Sequence, residues 1–416
     1  MKENSVMLII PRNEEDIYSP SKIIENLKLS KDLELIDINK GSEEKCSITV
    51  SVKIGENDID FQFYPTELTI PEFINTNHFF TDIDREAINK SEVALVMDME
   101  YKGDIIENYH NQLKIVNVLV ADKLAVLDVP SEKILSGKWV KIAAESMTAP
   151  SPKYIYTVQA ISDSEESDEV WLHTHGLGRC GFSELEILDS TKKMCSAHYN
   201  VIDILAKRLI ENNSQPEFGE PIFLARFSDE IGIVATIIPW QEALQYYPNI
   251  EYGTQEDRQD PVHSENNGCI MIYSSEDDYK NKRYSKISHY DGVIENNPIY
   301  MLSKRETDRM SNLAKERFEY VRELSQKSGD WKILVKIGME VDEQYRGENS
   351  ECEREHLWFE LDKVTGNIMT AELINEPYYI SSLKKGDVVE SEIDDITDWC
   401  IITKERRYTP DDVYMM

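Results

Sequence analysis

The chain has 416 residues, is 41% hydrophobic and 9% aromatic, and carries 78 acids against 45 bases, a net charge of -33. This length and apolar content predict two or three domains with their own cores and exclude a wholly disordered chain. The acidic excess excludes nucleic acid as a partner, because phosphates need clustered Lys and Arg.

In chain order, Val6 to Ile10 is predicted as a first strand. The preceding MKENS lacks the pattern of a signal peptide, and no apolar run approaches the roughly 20 residues of a membrane span. Residues 19–29 have helical spacing, with Ile23, Ile24 and Leu27 on the apolar side. SITVSVKI (47–54), a Gly55-Glu56-Asn57-Asp58 turn and IDFQFYP read as a hairpin. An α/β pattern follows: helix 82–89, strand 92–99, helix 104–119 and strand 124–129. Pro130-Ser131 is expected to start a short helix that stops at Gly137.

KYIYTVQAI (153–161) and VWLHTHGLGRCGFSELEIL (170–188) read as strands around the acidic loop SDSEESDE, followed by a helix over 197–212. Strands are expected near 221–227 and 231–239. EYGTQEDRQDPVHSENNG (251–268) is polar and without periodicity, which reads as linker. Ser303 with Glu306 forms a capping box for one long helix to about Ser325, and strands are expected at 331–341, 354–362, 367–373, 386–393 and 397–403.

The resulting expectation is an α+β protein. Its N-terminal α/β region has mixed sheets and helices. Its smaller C-terminal α+β domain packs a long helix on an antiparallel, barrel-like sheet. The expected divisions are an N-terminal domain at 1–150, a second domain or its continuation at 151–250, a linker zone at 251–300, the C-terminal domain at 301–405, and a tail at 406–416. The six cysteines, Cys46, Cys180, Cys195, Cys269, Cys352 and Cys400, are scattered without a CxxC pair, which fits a reducing cytoplasm and argues against a zinc ribbon.

Residues 356–399, HLWFELDKVTGNIMTAELINEPYYISSLKKGDVVESEIDDITDW, resemble the bacterial YegJ-like domain of unknown function, over about 300–405. Over about 1–250 the chain resembles a larger uncharacterised bacterial family that usually carries that domain at its C-terminus. AVLDVPSEKILSGKWVKIAA (125–144) and WLHTHGLGRCGFSELEIL (171–188) carry this likeness. The second run is also similar to a related family with an H-G-L-x-R-[FC]-G-x-x-[ED]-L-E turn. The resemblance implies a bacterial, cytoplasmic setting and brings no activity with it.

Two segments could carry chemistry. In HTHGLGRCGFSELE, His173 and His175 fall on one face of a strand and could share a metal ion, with Cys180, Glu184 or Glu186 adding ligands. In the plainer alternative the glycines serve a turn and Arg179 pairs with Glu184 or Glu186. No third ligand can be placed, so His173, His175, Arg179 and Glu184 stand as candidate binding residues, and no metal or other cofactor is assigned. Gly176, Gly178 and Gly181 spell G-x-G-x-x-G, but no βαβ unit follows and a dinucleotide is rejected.

In the C-terminal segment, His356, Trp358 and Glu360 alternate on one strand face. Asn375 and Tyr378 lie in a turn, and Trp399 could close over it. Such a face suits a peptide or small ligand; the alternative is a small core with Trp358 and Trp399 buried. The preferred expectation is a binding protein acting through this domain on a protein partner, basic in its leading version. The alternative is a hydrolase-type enzyme using 173–186, with or without a divalent metal.

Overall fold

The computed structural model describes every residue except 1–2, 41–46, 72–77, 163–166, 227–231, 259–262, 264–266, 296, 298–302 and 347–353. Parts of the expected acidic loop, of the 251–268 linker and of the ends near 227 and 231 therefore lie outside the described residues, as do Cys46 and Cys352. Cys180, Cys195, Cys269 and Cys400 are not joined in disulfides among the described residues.

The chain forms two compact units, residues 1–144 with 150–301, and 145–149 with 302–416. Both mix sheets with helices, so the α+β class holds. Among the described residues no helix is long and apolar enough to cross a membrane.

The first unit holds two sheets. One contains β1 (Ser5–Pro11), β2 (Glu34–Lys40), β3 (Ile48–Ile54), β4 (Asn57–Glu67), β5 (Val93–Met99), β6 (Lys123–Asp128) and β7 (Lys133–Ser136), in the order β2-β3-β4-β5-β1-β6-β7. Its central strands are apolar on both faces: Met7, Ile9, Leu95, Met97, Ala125 and Val126 are fully buried. The helix Ile105–Leu119 is likewise buried on most of its surface, and it starts where the Asp104 side chain accepts from the Glu107 N–H at 2.9 Å.

Here the sequence reading needs one correction. Gly137 does not stop a helix. Lys133–Ser136 pairs with β6, and a helix starts at Gly137 and runs to Glu145. A Cβ at Gly137 would lie 2.1 Å from the Lys123 carbonyl oxygen, so glycine is set by a close backbone approach rather than by a helix end.

The second sheet contains β8 (Thr157–Ile161), β9 (Glu169–His175), β10 (Leu185–Thr191), β11 (Ile222–Arg226), β12 (Gly232–Pro239) and β13 (Gly268–Tyr273), in the order β11-β12-β13-β10-β9-β8. Only β10 and β13 run parallel. The helix Cys195–Asn212 buries Val201, Leu205, Leu209 and Ile210, the side predicted from spacing. Within the expected 251–300 linker zone, Gly268–Tyr273 is a wholly buried strand at the middle of this sheet.

The second unit is an open antiparallel sheet with helices. Its strands are β14 (Trp331–Glu340), β15 (Arg354–Thr365), β16 (Ile368–Leu373), β17 (Val388–Glu392), β18 (Ile396–Thr403) and β19 (Arg407–Tyr408), in the order β17-β16-β15-β14-β18-β19. It does not close on itself, so the barrel-like expectation becomes an open sheet. The expected single long helix is two, Lys304–Glu316 and Phe318–Ser325, broken at Arg317, whose guanidinium donates to the Pro410 carbonyl at 2.6 Å. Residues 406–416, expected as a loose tail, instead supply β19 and a 3-10 turn over Pro410–Met415 that buries Val413 and Tyr414.

Candidate metal centre

Strand alternation puts Trp171, His173 and His175 of β9 on one face. The rings of Trp171 and His173 lie 4.4 Å apart and those of His173 and His175 4.8 Å apart. The third candidate ligand, which the sequence could not supply, is His263, from the segment read as linker. Its Nε2 lies 3.4 Å from Nε2 of His173, which lies 2.9 Å from Nε2 of His175. One nitrogen from each of the three rings lies within 4.8 Å of the other two.

A tetrahedral zinc with Zn–N bonds of about 2.0–2.1 Å separates its ligand nitrogens by about 3.3 Å. The two Nε2 separations from His173, 2.9 Å to His175 and 3.4 Å to His263, bracket that spacing, and the three nitrogens lie within 4.8 Å of one another. His173 and His175 are buried and His263 half-buried. Burial, followed by the neighbouring rings of His175 and His263, pushes His173 well below the usual histidine range. The neutral imidazole is the form that binds metal.

His263 reaches this place through a buried ion pair. Glu186 of β10 stands directly across from His173. Both its oxygens accept from Arg258, at 2.6 and 2.5 Å, and Asn267 donates to it at 2.6 Å. Arg258 stacks on Trp240 at 4.3 Å and donates to the carbonyl oxygens of Gly253, at 3.1 Å, and His263, at 3.2 Å. The two bonds to Glu186 fasten Arg258 to the sheet bearing His173, and those to Gly253 and His263 hold its own segment together.

The remaining residues of the HTHGLGRCGFSELE run fold the turn. Glu184 is no ligand: it accepts from the N–H groups of Gly176 and Gly178 at 2.9 Å and from the Thr174 hydroxyl at 2.7 Å. Burial pushes its carboxyl up to about 7, against the pull of those three donors. Gly176 has φ +112°, and a Cβ there would lie 2.5 Å from the Ile155 carbonyl oxygen.

Arg179 pairs with neither Glu184 nor Glu186. It crosses to the first sheet and binds both oxygens of Asp128, at 2.6 and 2.8 Å, while Ser5 accepts from it at 3.1 Å. Arg179 and Asp128 are completely buried. Cys180 is buried with its thiol 3.9 Å from the Gly176 carbonyl oxygen and belongs to the turn.

Elsewhere in this unit, Ser190, His198 and Asp291 are linked as hydroxyl, imidazole and carboxylate, at 2.9 and 3.0 Å. Ser190 and His198 are fully buried, so no substrate reaches the hydroxyl. The chain of bonds satisfies a core histidine.

On the C-terminal sheet, His356, Trp358 and Glu360 do share the outer face. His356 meets the Thr397 hydroxyl at 3.0 Å, Lys336 and Arg407 lie 5.7 and 5.9 Å from the Trp358 ring, and Lys332 pairs with Glu360 at 3.0 Å. Asn375 accepts from the Trp358 N–H at 2.9 Å and extends the ladder. Tyr378 is 81% exposed, its N–H held by Glu355 at 2.8 Å. Trp399 does not join this face. It pairs across from Val335, as does Phe359, and is fully buried with its indole N–H on the Ala314 carbonyl at 3.0 Å.

Residues 5–150 match the family described as "Protein of unknown function (DUF4026) N-terminal", residues 158–271 its "DUF4026 C-terminal" counterpart, and residues 304–412 "Uncharacterized protein conserved in bacteria (DUF2314)". The chain carries the two DUF4026 domains followed by a DUF2314 domain. All three histidines lie within the DUF4026 C-terminal match, and the exposed face of Trp358 lies in DUF2314. No curated protein and no solved structure matches the chain.

Proposed function

We propose that this DUF4026 protein is a metal-dependent protein of hydrolase type, with His173, His175 and His263 holding a divalent ion, zinc in the first instance. The observation that carries this reading is the convergence of three imidazole nitrogens within 4.8 Å from two separate segments. The donor set supports a reactive rather than a purely structural ion. Structural zinc sites close with four protein ligands, mostly thiolates, whereas three protein ligands leave a position for water. When bound there, the ion supplies Lewis acidity and a water ionising near pH 7.

The test is elemental analysis of untagged protein, thermal unfolding with added zinc or manganese, and turnover of chromogenic ester and phosphodiester probes. The expected outcome is about one ion per chain, with His263→Ala losing both ion and turnover. Protein without bound metal, whose melting ignores both ions, sinks the proposal.

A second reading places a binding role in the DUF2314 domain, toward a protein partner rather than nucleic acid, in the cytoplasm. It is supported by exposed Tyr378 beside Tyr379, whose ring lies 5.3 Å from that of Tyr345, on a chain of net charge -33. Capture of a basic protein at low salt that Tyr378→Ala abolishes, and that weakens as salt rises, supports it. Capture indifferent to that substitution speaks against it.

A further inference from the structure

The three histidines leave one neighbour unexplained. Glu132 lies in the turn between β6 and β7, and its Oε1 is 3.9 Å from Nδ1 of His175. It thus faces the nitrogen of His175 opposite to the one that faces His173. Its backbone has φ +51°, the left-handed region that residues with a Cβ rarely adopt. The turn is over-determined by its surroundings. Ser131 donates to Asp128 at 2.7 Å, Thr157 donates to the Ser131 carbonyl at 2.6 Å, and Lys133 donates to the Lys153 carbonyl at 2.7 Å. The carboxylate is aimed as well: its other oxygen accepts from Gln159 at 2.5 Å, and Gln159 stands across the strand pair from His173.

We propose that Glu132 is the positioning residue of the three-histidine centre. Its carboxylate holds the proton of His175 on Nδ1, leaves the Nε2 lone pair free for the ion, and so sets the affinity of the site. The proposal rests on the reading of those histidines as metal ligands. Its physical basis is tautomer selection. A neutral imidazole carries one N–H, and a carboxylate beside Nδ1 favours the tautomer with the hydrogen there. Glu132 is not the group that takes a proton from bound water. Its approach to the ring is at Nδ1, 3.9 Å away, and not at the nitrogen that faces His173. Its side chain is 35% exposed, and Glu132→Gln keeps its shape and its contact with Gln159.

The experiment titrates cobalt(II) into chelator-treated full-length protein, followed by visible absorption, and reads the tautomer of His175 from long-range 15N–1H spectra of the metal-free protein. Glu132→Gln is expected to bind cobalt roughly 10–100-fold more weakly than wild type, with the same tetrahedral absorption bands. His175 is expected to move from the Nδ1–H tautomer toward the Nε2–H one. A merely structural role would leave that tautomer where it was. Affinity equal to wild type, or an unchanged His175 tautomer, overturns the role of Glu132 while leaving the centre standing. Wild-type protein that binds no cobalt overturns the centre itself, and the Glu132 proposal with it.

Discussion

At the scale of single residues, the DUF4026 region buries charge and polarity unusually deeply, and each group is held for a positional reason. A buried ion pair contributes little net stability against a hydrophobic replacement, so its value lies in what it fixes. Arg179 with Asp128 locks the β9–β10 turn to the first sheet, and Arg258 with Glu186 locks the His263 loop to the second. His78 shows the same economy with a neutral group. Its Nδ1 accepts the Ser136 N–H at 3.2 Å, and its ring stands edge-on to Trp139 at 4.9 Å. Burial, then the charges of Lys133 and Lys153, lowers it to about 3.

The sign of the consequence follows directly. The folded pKa is below the unfolded one, so as pH falls from about 6.5 toward 3 the unfolded chain takes up a proton that the folded one refuses. Stability is lost over that window, by about 1 kcal/mol per pH unit from this residue. Urea unfolding of wild type and His78→Gln at pH 7, 6 and 5 should therefore show the wild-type advantage shrinking with acidity. Parallel curves would refute the neutral state of the half-buried His78.

At the scale of elements, what was legible in the sequence was whatever is local. The alternation of 47–65, the apolar spacing of 104–119 and 197–212, and the cap at Ser303 each depend on neighbours a few residues away, and each folds as read. So does the HTH pair, because period two is a property of one strand. The misreadings share the opposite cause. Gly137 looks like a helix stop, yet its identity is dictated by a carbonyl of Lys123 on another strand. Within 251–268, Arg258 and Asn267 are polar because they make buried hydrogen bonds to Glu186, 72 and 81 residues earlier, while Glu251, Gln255, Glu256 and Asp257 are exposed. Polarity alone cannot separate those two situations. His263 was therefore invisible in the sequence: its partners are 90 residues away, and a lone histidine in a polar run carries no periodic signal. Trp399 is buried, as the core alternative for that segment had it, whereas Trp358 of the same alternative is only half-buried on the outer face.

At the scale of the whole molecule, two units with separate cores share one strongly acidic chain, and only one unit contains the three histidines. Anything that binds the folded form stabilises it by mass action, about 2.7 kcal/mol at a free concentration one hundred times the dissociation constant. Zinc should therefore raise the unfolding temperature of the unit built from 1–144 and 150–301 and leave the 302–416 transition in place. A confounding effect must be separated first. With a net charge of -33 the folded chain repels itself, and any added cation relieves that repulsion. Magnesium provides the control, because it prefers oxygen ligands and keeps its water, and so reports screening without engaging imidazoles. In calorimetry at fixed ionic strength, magnesium should move both transitions by similar small amounts. Zinc should move one of them further, and His263→Ala should remove that excess. The transitions can be assigned by Trp399→Phe, which trims a fully buried side chain of the second unit and lowers only that unit's melting. A zinc shift shared equally by both transitions, or one that survives His263→Ala, would mean that the ion binds the acidic surface and that the histidines are only packed together.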